Sequence, residues 1–391
     1  MQQLITLTWF LLQFLIGFNL ILPFILYLIF IIRKKKDYVI KIPSFEPDYA
    51  IIVTAYEQTN LLPAVVDSLL SVNYSNFIIY IVADKCDITN LSFSSKKVIL
   101  LSPPEIIASN TGSHFYAINN FIRPHERLII IDSDNLVDKE FIHHFNIYFS
   151  KGFKAVQGVR KAKNSETIYA HLDAARDFYY HFYDGEVLFN IGSSATLAGS
   201  GMAFTIDLYK SSLNHLNIKG AGFDKVLQYE IVKNKDRIAF AKEAIVYDEK
   251  TSNTDQLVHQ RARWINTWFR YFTYGFDLLK KGILQKNWNQ FLFGLVILRP
   301  PLFIFLMLSI CMLIANVWLQ PVAALIWLIL LLLFCVSFVI ALIAGKAEKV
   351  IYSALLKAPK FIFYQLLSLS KVKNANKHSV ATKHQFSEKN I

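Results

Sequence analysis

Apolar residues crowd the two ends of the chain, and the middle alternates short apolar runs with amphipathic stretches. Leu4 to Ile32 is almost continuously apolar. Roughly 20 such residues let a helix cross a bilayer, so the run predicts a membrane span rather than the shorter core of a signal peptide. It stops at Arg33-Lys34-Lys35-Lys36, and the positive-inside rule puts that block and the domain after it in the cytoplasm. From about Asp48 the pattern changes. Ala50-Ile51-Ile52-Val53, Phe77 to Val82 and Leu128 to Ile131 read as short buried strands, and Leu61 to Val72 has helical periodicity. This alternation predicts α/β architecture with a parallel sheet, where ligands bind beyond the carboxyl ends of the strands. Glu57, Asp84, Asp132 and Asp134 all fall at such ends.

Further on, Gly199-Ser200-Gly201 signals a turn before the apolar Met202-Ala203-Phe204, and Asp224 opens a helix-like stretch to about Lys235. Asp255 to Lys281 reads as one amphipathic helix whose aromatic and basic residues suit a membrane interface. Phe291 to Leu319 is apolar but broken by Arg299-Pro300-Pro301, which predicts an interfacial piece to about Leu298 and a crossing from about Pro301 to Leu319. Pro321 to Ile343 predicts another crossing, for about three spans in total, and Lys346 to Lys371 another interfacial helix before a polar, basic tail. The expected divisions are an N-terminal span with its basic stop (1–36), a cytoplasmic catalytic domain (48–254), interfacial helices (255–298), two spans (299–345) and an interfacial helix with the tail (346–391). No internal repeat is visible.

Composition agrees with a membrane protein: 54% hydrophobic and only 18% charged, too apolar for an ordinary soluble chain of 391 residues. The net charge of +12 lies largely beside apolar stretches, which points to anionic headgroups rather than nucleic acid. Basic residues do not interleave with aromatics on a soluble module, and no nucleic-acid recognition motif is present. The three cysteines, Cys86, Cys311 and Cys335, form no CxxC pair, so neither a disulfide framework nor a zinc site is implied.

Four groups of residues carry candidate chemistry. Asp132-Ser133-Asp134 places two carboxylates at i and i+2 after a strand, where they can meet one hard divalent cation, Mg²⁺ or Mn²⁺, with phosphate oxygens completing its shell; the plain alternative is a solvated turn. Asp84 contacts a nucleotide base or ribose, or else caps a turn. Gln260, Arg263 and Trp264 share one helical face at i, i+3 and i+4, giving a guanidinium fork for phosphate and a flat apolar platform for a sugar; a basic helix resting on lipid would look the same. Asp224 is a carboxylate suited to deprotonating an acceptor hydroxyl, or one favoured by a helix N-terminus.

Taken together, these motifs resemble the membrane-integrated family 2 glycosyltransferases, relatives of cellulose, hyaluronan and poly-N-acetylglucosamine synthases. The resemblance runs from about Ala50 to Trp264. Thr54-Ala55-Tyr56-Glu57 resembles the family's first-strand nucleotide motif, Asp84 its aspartate near uracil, Asp132 and Asp134 its DxD, Gly199-Ser200-Gly201-Met202 its acceptor-side segment, and Gln260, Arg263 and Trp264 its QxxRW. Tyr247-Asp248-Glu249-Lys250 also looks familiar. Two positions depart from the pattern. The base, usually in a Glu-Asp or Thr-Glu-Asp triplet, corresponds to Asp224 after Phe223, with Glu230 as the alternative; and His114 stands where a lysine often precedes Ala-Leu-Asn, here Ala117-Ile118-Asn119.

The resemblance implies a GT-A nucleotide-sugar-binding domain with a mostly parallel sheet and a UDP-sugar donor. It further implies an inverting displacement with Asp224 as base, and a cation at Asp132 and Asp134 beside the leaving diphosphate. Ala55, Tyr56, Glu57, Asp84, Asp132 and His114 would face the donor; Gly199, Ser200, Gln260, Arg263 and Trp264 would serve the acceptor and diphosphate. The acceptor would be a glycan or lipid at the cytoplasmic face of the cell membrane, in polysaccharide or glycolipid synthesis, with an oligomer or export proteins as possible company. Processive synthesis, single addition to a lipid carrier, and a non-catalytic scaffold with a degenerate transferase domain are the competing readings.

Overall fold

The computed structural model describes residues 2–33, 46–164, 166–218, 220–250 and 254–375. Lys34-Lys35-Lys36 and the last part of the basic tail lie outside them. The elements run α1 (Gln2–Ile32), β1 (Tyr49–Tyr56), α2 (Leu62–Leu70), β2 (Phe77–Asp84), β3 (Val98–Leu101), α3 (Asn110–Asn119), β4 (Arg127–Asp132), β5 (Leu136–Val137), α4 (Phe141–Phe149), β6 (Ala155–Ala162) and α5 (Ile168–Tyr180). Helix α5 continues into a π-helical segment, His181–Val187, and α6 (Leu188–Asn190). Then come β7 (Met202–Thr205), α7 (Ile206–Leu213), α8 (Phe223–Lys233), β8 (Ile238–Asp248), α9 (Thr254–Tyr271), α10 (Tyr274–Leu284), α11 (Trp288–Leu298), α12 (Leu302–Leu319), α13 (Pro321–Ala344), α14 (Lys349–Ala354) and α15 (Ala358–Leu367).

The strands form one eight-stranded sheet in the order β3-β2-β1-β4-β7-β6-β8-β5. Strands β3, β2, β1 and β4 are mutually parallel, as are β6 and β8; β7 and β5 run against their neighbours. A strand covered by helices on both faces needs apolar side chains on both, and Ala50 to Val53, Phe77 to Ala83 and Leu128 to Ile131 are buried throughout. Their register brings Tyr56 level with Asp84 and Thr54 level with Asp132, so the acidic strand ends lie along one edge. Strand β6 pairs with β8 irregularly. Its pairing with β8 shifts register around Gly158, where a Cβ would fall 2.5 Å from the Ala244 carbonyl oxygen and 3.2 Å from that of Gly201. Only glycine allows that close approach of three backbones.

Helices α1, α12 and α13 are each long and apolar enough to cross a membrane, and many of their large side chains are exposed. They share one polar knot. Gln13 Oε1 accepts hydrogen bonds from Asn316 Nδ2 and Trp327 Nε1, each at 2.8 Å, which fixes the three helices in register. Hydrogen bonds are among the contacts that tie this bundle to the sheet domain. Arg33, at the end of α1, donates to the Ile191 carbonyl, which Trp288 Nε1 also reaches at 3.0 Å, and Tyr183 donates its hydroxyl to the Ser337 carbonyl of α13 at 2.9 Å.

The amphipathic stretch expected as one helix over 255–281 is two, α9 and α10, separated at Phe272-Thr273. The break lets α10 fold onto α11, and exposed Phe269, Phe276, Ile283 and Leu284 remain on the outside, as an interfacial position requires. The helix expected over 346–371 is also broken: Pro359 opens α15, where its missing N–H costs nothing.

Candidate active site

A cavity of about 600 Å³ opens where the carboxyl end of β4 meets α5, α8, α9 and the start of α12. That is an ordinary size for a small-molecule site. Asp132 closes β4 and Asp134 follows in the turn; both line the cavity, with Gly199, Asp224, Gln260, Arg263 and Trp264. The Gly-Ser-Gly segment braces the turn from behind. Ser200 is fully buried; its hydroxyl accepts from the Asp132 backbone N–H at 3.0 Å and donates to Asn135 Oδ1 at 2.5 Å. Gln157 Nε2 in turn donates to the Ser200 carbonyl at 3.1 Å. Two carboxylates held on such a support, at a strand end and facing a cavity, offer the hard oxygen donors a divalent cation selects, and leave its other positions to phosphate and water.

Asp224 stands in the first turn of α8 and lines the same cavity. Its helix starts at Gly222, with φ of +99°, where a Cβ would come 2.6 Å from Thr267 and 2.7 Å from Tyr271 of α9. The glycine therefore provides both the left-handed turn and the room for the loop to press against α9. Lys225 Nζ lies 2.9 Å from Asp224 Oδ2 and donates to the Leu197 carbonyl at 2.8 Å. Glu230, the alternative base, is buried on the same helix, pairs with Lys233 at 3.1 Å and is not part of the cavity wall.

Helix α9 presents Gln260, Arg263 and Trp264 to the cavity. Trp264 lies beside two guanidiniums that share Asp173, with Arg261 4.1 Å and Arg176 4.2 Å from its ring centroid. Those arginines begin a row of buried, alternating charges: Arg261 pairs with Asp173, Asp173 with Arg176, Arg176 with Asp177, Asp177 with Lys250, Lys250 with Asp248, and Asp248 with Arg160. The row joins α9, α5, β8 and β6. Burial disfavours the Arg160 charge, but Asp248, Asp177 and Asp132 outweigh it and hold the guanidinium cationic. Arg261 is pushed down to about 10 by burial and by Arg176, against the pull of Asp173, and is still charged at neutral pH. Burial also lowers Arg263.

Residues 47–267, more than half of the chain, match the model of the family described as glycosyltransferase like family 2. The chain belongs to this family. Among solved structures, the mannosyltransferase PcManGT from Pyrobaculum calidifontis, in complex with GDP-Man and Mn²⁺, has the same fold, with a TM-score of 0.58 at 13% identity over 92% of this chain and 96% of that one. The S. aureus TarS structure reaches a TM-score of 0.42 at 14% identity over 59% of this chain and 40% of its own, and TarS 1-349 with UDP-GlcNAc 0.40 at 14% over 63% and 79%. No curated protein matches by sequence.

In this family 2 chain, other residues singled out from sequence lie behind the cavity wall or at its edge. Asp84 is buried, and its two carboxylate oxygens accept the backbone N–H groups of Ile107 at 3.0 Å and Ala108 at 2.7 Å, which holds the loop into α3. Ala55 is buried in β1, and Tyr56 is level with Asp84 at its end. Glu57 follows in a left-handed conformation and pairs with Lys85, also left-handed, at 2.7 Å across the ends of β1 and β2. His114 is buried, with Nδ1 2.6 Å from the Tyr209 hydroxyl and its ring 5.0 Å from Phe223. Burial pushes its pKa down to about 3, so it packs beneath the start of α8 as a neutral ring.

Sequence reasoning passed over Arg160, Arg176, Asp177, Asp184, Arg261 and Arg299, all on the cavity wall of the transferase. Arg261 was an unassigned position inside QxxRW, and the charges of α5 had no periodicity to distinguish them from a solvated face. Arg299 did carry a signal, a lone cation within an apolar run.

Proposed function

We propose that this chain transfers a sugar from a nucleotide-sugar to an acceptor hydroxyl with inversion, at the cytoplasmic face of the cell membrane. The observation that carries this reading is one cavity lined by Asp132 and Asp134 at a strand end, by Asp224 from α8, and by Gln260, Arg263 and Trp264 from α9. Asp132 and Asp134 would hold Mg²⁺ or Mn²⁺, whose charge would offset that of the leaving diphosphate. Asp224 accepts the proton of the attacking hydroxyl, and Lys225 keeps its carboxylate in place. Arg263 adds positive charge toward the diphosphate, and Trp264, held by contacts with the Arg261 and Arg176 guanidiniums, gives the acceptor a rigid face. The Ala55 to Glu57 strand end and the loop held by Asp84 form the nucleotide side.

UDP is the nucleotide the motifs favour, and the GDP-Man bound by PcManGT makes GDP the alternative. The cytoplasmic orientation rests on the basic block after α1. The test is a donor screen on membranes containing the chain, with UDP- and GDP-sugars, Mn²⁺ and product sizing. Nucleoside diphosphate release from one donor supports the reading. No release from any donor, at a level above an Asp224→Asn control, sinks it. A ladder of products would indicate processive synthesis, and a single species single addition.

A further inference from the structure

Beside Asp224 the cavity turns toward the membrane helices. Lys225, paired with Asp224, also acts electrostatically on Asp184 in the π-helical segment. Asp184 is ion-paired with Arg299, the residue directly before Pro300-Pro301 and α12. Asp184 is 4% and Arg299 6% exposed. Each keeps one polar atom, Asp184 Oδ1 and Arg299 Nη1, with no hydrogen bond among the described residues. Both line the cavity, and the wall continues over Val296, Ile297, Leu302 and Phe303 to the first turn of the span.

We propose that this half of the cavity is the acceptor site for a lipid with a hydroxylated head, an acylglycerol or glycolipid. Its head hydroxyls meet Asp184 and Arg299, and its hydrocarbon tail leaves along Val296 to Phe303 into the bilayer. The proposal rests on the sugar-transfer reading and adds the acceptor class. Three observations favour this occupant. A glycan lying along these apolar side chains would leave its hydroxyls without partners, whereas a hydrocarbon chain is stabilised there. The Asp184–Arg299 pair offers one acceptor and one donor atom, which is what hydroxyls satisfy; a phosphate brings only acceptors and would face the Asp184 carboxylate. A phosphate nucleophile is also already ionised at neutral pH and needs no base, while a hydroxyl makes use of Asp224. In the step itself the hydroxyl oxygen bonds to the anomeric carbon as the bond from that carbon to the diphosphate oxygen breaks. The nucleoside diphosphate leaves with that electron pair, and the hydroxyl proton passes to Asp224.

The experiment uses membranes containing the full chain, tritiated UDP-glucose, UDP-N-acetylglucosamine and GDP-mannose, and three acceptor probes: dioleoylglycerol, its monoglucoside and undecaprenyl phosphate. The expected result is label in the chloroform–methanol phase with either glycerolipid, stable to mild acid. Asp184→Asn should raise the KM for that probe about tenfold or more while the KM for the donor stays put. Label on undecaprenyl phosphate, released by mild acid, overturns the proposal, as does label in a water-soluble polymer. Donor consumption with no lipid product overturns it alone; donor left intact by the unaltered chain overturns the sugar-transfer reading beneath it.

Discussion

Lys225 directly follows Asp224 in the first turn of α8 and holds its ammonium 2.9 Å from the Asp224 carboxylate. This pair lines the same cavity as Asp132 and Asp134. Replacing Asp224 by Asn keeps the shape and removes the proton acceptor. The expected outcome is unchanged nucleotide-sugar affinity by calorimetry with transfer lost by about 10²-fold or more, the usual contribution of a positioned base. Transfer at the unaltered rate would refute the assignment.

Ser200 supports the carboxylate pair without touching the cavity. Ser200→Ala leaves the buried Asp132 N–H and Asn135 Oδ1 without their partner, at a cost of about 1–3 kcal/mol. Because the loop then loosens, the Mn²⁺ concentration for half-maximal turnover should rise roughly tenfold or more, as it does when a supporting residue of a metal site is lost. An unshifted Mn²⁺ titration would show that the turn holds itself.

Asp173 joins Arg261 of α9 to Arg176 of α5. Asp173→Asn strands a buried guanidinium, and thermal unfolding should report a loss of about 3–5 kcal/mol. Arg261→Met in the same chain should recover much of that loss, since removing both members of a buried pair costs less than removing one. Equal or additive losses in the two variants would argue against the pair as a unit.

His114 is buried and His181 half-buried at the cavity wall; both are held neutral, pushed down to about 3 and about 4 by loss of solvation. Their folded pKa values lie below the unfolded value of about 6.5, so between these limits the unfolded chain binds more protons and stability rises with pH. This stability is fully present above about pH 6.5 and falls by about 1.4 kcal/mol per pH unit for each histidine as pH drops toward 4. Melting temperatures between pH 7 and 5 should show the decline, and His114→Gln should flatten it. A slope unchanged by that substitution would place the titration elsewhere.

How much of this could be read from the chain depended on how each part is buried. Strands β1, β2 and β4 are covered on both faces and announce themselves as unbroken apolar runs. Strands β6 and β8 mix exposed Lys161, Lys242 and Glu243 with a glycine bulge, and the interval around them looked merely mixed. The same divide runs through the site. Asp132, Asp134, Asp224, Gln260, Arg263 and Trp264 sit in local motifs and converge on one cavity. The pairing of Arg261 with Asp173, 88 positions away, or of Arg299 with Asp184, 115 away, has no local trace, because only the folded chain brings such charges together.

The π-helical segment His181–Val187 sets an angular phase. In an unbroken α-helix Asp177 and Asp184, seven positions apart, would fall close to two full turns from each other and compete for the same cations. The wider π turns rotate the second carboxylate off that face, so Asp177 keeps Lys250 and Arg176 while Asp184 meets Arg299 at the root of the membrane span. One continuous helix thus acts as a two-sided key, engaging the sheet domain with one carboxylate and the bilayer helices with the other.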